Sequence, residues 1–219
     1  MRPLFADRFD AGRRLAEPVS ALKLRNPLVL ALPRGGVPVA IEVAKALNSS
    51  LDLLLVRKIG VPWQPELAAA AVVDGNPPEI VTNDSVMAQA GLELSYIHEQ
   101  AERELAEIER RRQLYLGGRE PIPIASHELV VIDDGVATGT SMLAALEALR
   151  RRGPLSVTVA LPVAPHDALE LLRPKVQRVV CLFEPDPFWA VGAHYADFHQ
   201  VSDQEVQDLM MQATSIHKT

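Results

Sequence analysis

The chain reads as an α/β protein built on a doubly wound parallel sheet, and three observations predict it. Short apolar runs alternate with longer stretches of helical periodicity, the pattern of a parallel sheet covered by helices. The runs are apolar at nearly every position instead of alternating with polar residues, as strands buried on both faces must be. Glycine-bearing turns follow two of them, where open α/β sheets bind ligands beyond their strands' carboxyl ends.

Taken in order, Asp7 to Ala16 read as a short helix, Leu28–Leu32 as a strand, Val37–Leu47 as a helix and Leu51–Arg57 as a strand. An insertion then interrupts the alternation at about 60–126, a flexible arm followed by a helical hood. It holds an alanine-rich piece (Leu67–Val73), a Gly75-Asn76-Pro77-Pro78 turn and a short strand Glu79–Val81. A long charged helix follows, about Asp84 to Leu116, with a break near Gly91. Ile97, Ala101, Leu105 and Ile108 give it a narrow apolar stripe, while Glu99–Arg103 and Glu107–Arg111 are i,i+4 pairs on its solvated side. The alternation resumes with strand Leu129–Asp133 and helix Ser141–Arg152, whose Met142, Leu143, Ala145, Leu146 and Leu149 share one face. Arg150 to Arg152 suit the negative end of that helix, and Gly153-Pro154 stops it. Strand Ser156–Pro162, helix His166–Arg173 and strand Val176–Phe183 complete the series. The expectation is one domain over residues 1–219 with the arm and long helix inserted in it.

Composition narrows the function classes. A net charge of −6 argues against a nucleic-acid partner, which needs a basic surface. The 17 prolines are dispersed and mark no disordered linker. The one cysteine, Cys181, excludes an intramolecular disulfide and fits a reducing compartment. No apolar stretch reaches the roughly 18 residues of a membrane span, and Met1 to Asp7 contain no signal-peptide core. The expected location is the cytoplasm, with no membrane contact. The six histidines show no zinc spacing, and no Gly-x-Ser-x-Gly marks a hydrolase elbow.

The chemistry concentrates in Val130-Val131-Ile132-Asp133-Asp134-Gly135-Val136-Ala137-Thr138-Gly139-Thr140-Ser141. A buried strand runs into two carboxylates, then into a loop of glycine and hydroxyl residues that opens a helix. Backbone N–H groups and the hydroxyls of Thr138, Thr140 and Ser141 can hold an anion at that helix N-terminus. Asp133 and Asp134 can accept hydrogen bonds from a vicinal diol or help hold a magnesium ion. Phosphate beside diol is the layout of a ribose 5-phosphate site. Thr140 stands where a Walker loop needs lysine, so a nucleoside-triphosphate loop is excluded. A second glycine loop, Pro33-Arg34-Gly35-Gly36-Val37-Pro38, follows the first strand and lets backbone approach an anion with Arg34 adding charge. Arg57-Lys58-Ile59-Gly60-Val61-Pro62 places two cations before a Gly/Pro-rich stretch suited to a mobile lid. Phe183 to Phe198 is aromatic-dense, fitting either a heteroaromatic ring or a cap over the sheet edge.

The acidic pair and its Thr-Gly-Thr-Ser turn resemble the phosphoribosyl pyrophosphate (PRPP) signature of the type I phosphoribosyltransferases. The likeness spans roughly residues 5 to 210. It is greatest to a group of bacterial members sharing Pro-Arg-Gly-Gly-Val-Pro, Arg-Lys-x-Gly, Asp-Asp-Gly-x-Ala-Thr-Gly and Val-Gly-x-x-Tyr. The resemblance implies transfer of ribose 5-phosphate from PRPP to a purine-like nitrogenous base, with magnesium as cofactor and pyrophosphate released. It implies a PRPP loop of Gly135, Val136, Ala137, Thr138, Gly139, Thr140 and Ser141, with metal at Asp133 and Asp134. Diphosphate would contact Arg34, Gly35, Gly36, Arg57 and Lys58, and the catalytic set would be Asp133, Asp134, Lys58 and Arg34. Base contacts would fall on Phe188, Trp189, Val191 and Tyr195. Clustered loop N–H groups predict a strained, cis peptide at Arg34-Gly35 or Gly35-Gly36. A homodimer is expected. Where many purine transferases carry a loop aspartate this chain has Ala137, as adenine-type members do. A non-catalytic sensor of PRPP or nucleotide is therefore the competing reading, and a phosphosugar hydrolase a third that lacks a nucleophile.

Overall fold

The computed structural model describes residues 3–75 and 77–216. Asn76, in the expected Gly75–Pro78 turn, lies outside the described residues. The uniformly apolar runs are strands of one parallel sheet: β1 (Pro27–Ala31), β2 (Ser50–Leu53), β6 (Glu128–Ile132), β7 (Ser156–Val163) and β8 (Arg178–Phe183). Their spatial order is β2-β1-β6-β7-β8. In β1 and β6, Val29, Ala31, Val130 and Ile132 point to one side, against α1 (Arg8–Ser20), α2 (Gly36–Leu47) and α7 (Asp203–Ile216). Leu28, Leu30, Leu129 and Val131 point to the other, against α5 (Thr140–Arg151) and α6 (His166–Leu172). Two apolar faces on every central strand explain the unbroken apolar runs. The sheet is doubly wound, as expected.

The Leu51–Arg57 run is not one strand. β2 ends at Leu53, and β3 (Val56–Val61) begins a separate antiparallel sheet with β4 (Gln64–Val73) and β5 (Glu79–Thr82). The chain crosses between sheets at Leu54-Leu55: Leu54 N–H bonds Ala31 O at 2.9 Å, while Leu55 O accepts from Asp74 N–H at 2.8 Å. Leu54 is buried in the α5-side core and Leu55 in the opposite one, so no polar residue marks the switch. The alanine-rich piece is the C-terminal part of β4, with Ala70–Val73 paired on both sides. The hood helices are α3 (Asp84–Ala90) and α4 (Leu94–Leu116), separated at Gly91, whose φ of +60° ends α3. Ile97, Ala101 and Ile108 are buried, and the expected pairs form, Glu99–Arg103 at 2.8 Å and Glu107–Arg111 at 2.7 Å.

α1 continues past Ala16 to Ser20, because Val19 is still on its buried face. β8 begins at Arg178 instead of Val176, since residues 173–175 form a 3₁₀ turn first. α7 was not anticipated. The Ser202 N–H donates to the Glu205 carboxylate at 2.7 Å and Glu205 N–H to Ser202 Oγ at 3.2 Å, a capping box. Val206, Leu209, Met210 and Ala213 then fill the side of the core against α2 and α4. Among the described residues no helix is long and apolar enough to cross a membrane.

Candidate active site at the sheet's switch point

Winding from β1 leads out to β2, and winding from β6 leads the other way through β7 to β8, so the switch point lies between β1 and β6. The two glycine loops flank it. After β1, Leu32 N–H bonds Ile132 O at 2.9 Å, fixing one loop to the other. Glycine is required there by proximity: a Cβ on Gly35 would sit 2.1 Å from Asp134 Oδ2, and one on Gly36 would sit 2.8 Å from Ile132 O. The cis peptide falls at Pro33–Arg34, one residue before the earlier of the two expected positions.

Asp133 accepts from the Asp134 N–H at 2.9 Å. Burial, and secondarily the neighbouring Asp134 charge, push its carboxyl well above the usual carboxylate range. Asp134 is also raised by burial, with Arg8 opposing the shift. Its Oδ2 accepts from Arg8 Nε at 2.7 Å, and its main-chain oxygen accepts from the Tyr195 hydroxyl. The loop beyond turns at Gly135 and Gly139, the latter at φ +73°. Gly135 packs on Val163 and Val191, while Val136 is buried. Ala137 and Thr138 are exposed, Thr140 and Ser141 half-buried, and the Thr138 and Thr140 hydroxyls lie 3.1 Å apart.

The cations are distributed unequally. Arg34 reaches Asp203 at 3.4 Å, and Asp203 also accepts from the Tyr115 hydroxyl at 2.5 Å, joining the β1 loop to α4 and α7. Arg57 is turned onto α4, its Nε bonded to Glu104 at 2.6 Å. Lys58, next along the strand, is exposed on the opposite face and is paired in register with Ala71. Ala71 lines a cleft of about 580 Å³ that also takes in Thr138 and Thr140.

The aromatic segment divides as well. Trp189 is 75% exposed and Phe188 half-buried, its ring 5.3 Å from the buried His194. Val191 touches the signature loop through Gly135. Tyr195, expected at the base, is buried between Phe5 and Phe198 at 5.2 and 5.0 Å. Burial also drives its hydroxyl pKa far upward. The Cys181 thiol is raised to about 11 by burial, which keeps it protonated and unreactive at neutral pH. Among the described residues no group of three or more His, Cys, Asp or Glu side chains forms a metal cage. Asp133 and Asp134 are adjacent carboxylates, a donor set that could hold a divalent ion only in part.

Sequence reasoning missed Arg8 and Asp203, and it did not connect Phe198 with Arg8. For Arg8 a signal existed: it occupies the same face of α1 as the buried Ala11, Gly12 and Leu15, and a charge on an apolar stripe calls for a partner.

Placed beside known proteins, residues 6–197 match the family model described as the phosphoribosyl transferase domain, and the chain belongs to that family. Two Mycobacterium tuberculosis proteins, from two strains and both named "Putative phosphoribosyl transferase", are 43% identical over 203 residues. These residues are 93% of this chain and 45% of each relative, so the chain spans under half of their length. The crystal structure of TT1426 from Thermus thermophilus superposes with a TM-score of 0.84 at 42% identity, covering 97% of this chain and 99% of that one. A hypothetical protein of Neisseria gonorrhoeae, solved with bound ppGpp, shares the fold at 13% identity and TM-score 0.53, covering 97% and 98%.

Proposed function

We propose that this protein binds PRPP and magnesium and transfers the ribose 5-phosphate to a nitrogenous base, releasing pyrophosphate. The observation that carries the reading is the direct packing of the Gly35-Gly36 loop on the Asp133–Asp134 pair, which puts a diphosphate-type loop beside a diol-type pair. In this reading the 5-phosphate sits on the N–H groups and hydroxyls of residues 135–141, and the ribose hydroxyls donate to Asp133 and Asp134. Arg34, Lys58 and the Gly35-Gly36 backbone hold the diphosphate, and Phe188, Trp189 and Val191 flank the base. Asp133 and the free oxygen of Asp134 would hold magnesium, which supplies positive charge against the departing diphosphate. Ala137 has no proton to exchange, so the base reacts as its anion or with help from the paired carboxylates. A purine is the preferred acceptor class, and a homodimer the preferred assembly.

A second reading, a PRPP or nucleotide sensor, is favoured by Ala137 and by the engagement of Arg57 with Glu104. One experiment separates them. With magnesium, PRPP and a panel of bases, base-dependent pyrophosphate release identifies a transferase. PRPP binding without release identifies a sensor, and base-independent release a hydrolase.

Two further outcomes are expected. Arg34→Ala and Lys58→Ala weaken PRPP and pyrophosphate while leaving a nucleoside monophosphate nearly unaffected. Arg34→Ala barely changes stability, because a partly exposed pair contributes only about 0–1 kcal/mol. Isothermal titration with the three ligands checks this, and equal losses for monophosphate and pyrophosphate contradict the assignment. Trp189→Ala and Phe188→Ala raise the KM for base more than that for PRPP, each removing stacking of about 0.5–1.5 kcal/mol. Unchanged base kinetics in both variants would place the base elsewhere.

A further inference from the structure

We propose that Arg8 is a positioning residue for the acidic pair. It fixes Asp134 by one oxygen and offsets half of the pair's charge, so that the pair reads a ribose diol and takes up a divalent cation only together with the diphosphate. This rests on the PRPP reading above. Arg8 lies on α1, outside every loop that carries the signature. Its side chain is 8% exposed and that of Asp134 13%. The guanidinium is engaged on three sides: Nε donates to Asp134 Oδ2 at 2.7 Å, Nη1 to the His199 carbonyl at 2.8 Å, and Cζ lies 3.8 Å from the Phe198 ring centre.

Asp134 is held from three more directions. Its backbone oxygen accepts from Tyr195, its backbone N–H donates to Asp133, and Gly35 closes on Oδ2 so tightly that no side chain fits. Oδ2 is thus committed to the protein, and Oδ1 is the oxygen left for a ligand. A buried ion pair is a poor device for stability alone, because desolvation offsets most of the attraction. α1 is already docked by Ala11, Leu15 and Val19. What the pair does accomplish is orientation and charge balance. Two adjacent carboxylates without a cation would attract a free divalent ion strongly, and such an ion would compete for the oxygens that must meet the diol. Arg34, the cation of the β1 loop, is directed to Asp203 on α7.

The test compares wild type with Arg8→Gln and Arg8→Lys in three titrations: PRPP with magnesium, pyrophosphate with magnesium, and manganous ion alone followed by electron paramagnetic resonance. Thermal midpoints are recorded for each protein. In Arg8→Gln, PRPP affinity falls at least about tenfold, as expected for losing a charge-assisted bond at the ligand-binding carboxylate. Pyrophosphate changes by less than about twofold, and free manganous ion binds at least about threefold tighter once the carboxylates lose their cation. Arg8→Lys restores the charge and hence wild-type manganous affinity, but lacks the fork and leaves PRPP weakened. The proposal is overturned if both variants bind PRPP as wild type does, or if PRPP and pyrophosphate weaken in parallel with an unchanged manganous affinity. Wild type that fails to bind PRPP overturns the functional reading instead, and the manganous arm then reports separately whether Arg8 screens the carboxylates. Should Arg8→Gln not fold, Arg8→Lys carries the comparison, and wild-type PRPP affinity in it overturns the positioning role.

Discussion

Gly35→Ala is expected to lose about 1–3 kcal/mol of stability, the range for overpacking a filled site, and more than tenfold in PRPP affinity. The new methyl would lie 2.1 Å from Asp134 Oδ2 and 2.6 Å from its Cγ. Relief requires Asp134 or the loop to move. Asp134 is held by Arg8 and Tyr195, and the loop by Leu32 and Gly36 N–H bonds, so either displacement breaks bonds at the candidate site. Gly117→Ala is the control: its φ is +59°, but nothing lies within 4 Å of a Cβ there. It should cost about 1 kcal/mol of left-handed strain and leave PRPP untouched. Scanning calorimetry and ligand titration distinguish the two. Equal PRPP affinity in Gly35→Ala and wild type would remove the close loop contact from the site.

Asp133→Asn should make the protein more stable at pH 7 and at least about tenfold weaker for PRPP, since it removes a charged acceptor for the sugar hydroxyls. The Asp133 carboxyl is raised by burial and by Asp134, so the folded protein binds its proton more readily than the unfolded chain does. Stability therefore falls as pH rises from the unfolded value of about 4 through the higher folded one, and remains reduced above it. Asparagine keeps the Oδ1 that accepts from Asp134 N–H and has no charge to bury. The gain in thermal midpoint should be present at pH 7 and absent near pH 4. A variant destabilised at pH 7, or a gain that persists into acid, would contradict the assignment of that charge.

Much of the fold could be read from the residues because the physics was local. Two-sided burial demands unbroken apolar runs, and the runs at Leu28 and Leu129 became β1 and β6 within one residue. The Asp-Asp-Gly loop and the Arg-Gly-Gly loop could be placed at strand ends by the same reasoning. Most of what escaped was non-local or lacked a polar marker. The switch between sheets at Leu54-Leu55 is invisible because both residues are buried, only in different cores. α7 had a readable signal in Ser202–Glu205 and the spacing of Val206, Leu209, Met210 and Ala213, yet its importance lies in covering α2. Arg8 is 126 positions from its carboxylate, and no spacing rule joins them. Tyr195 is among the expected base contacts, whereas Phe5, far upstream, packs against its ring.

The matched family region ends where it starts. Phe5 bridges Tyr195, Ala196 N–H bonds Phe5 O and Asp197 N–H bonds Ala6 O, both at 2.8 Å, so residues 6 and 197 lie side by side. A module whose ends meet can be spliced into a host chain or circularly permuted with a short linker. Cutting at 197 would nonetheless strip α7 and uncover Val206, Leu209 and Met210 against α2. A cassette that keeps this core covered therefore extends past the matched region to include α7.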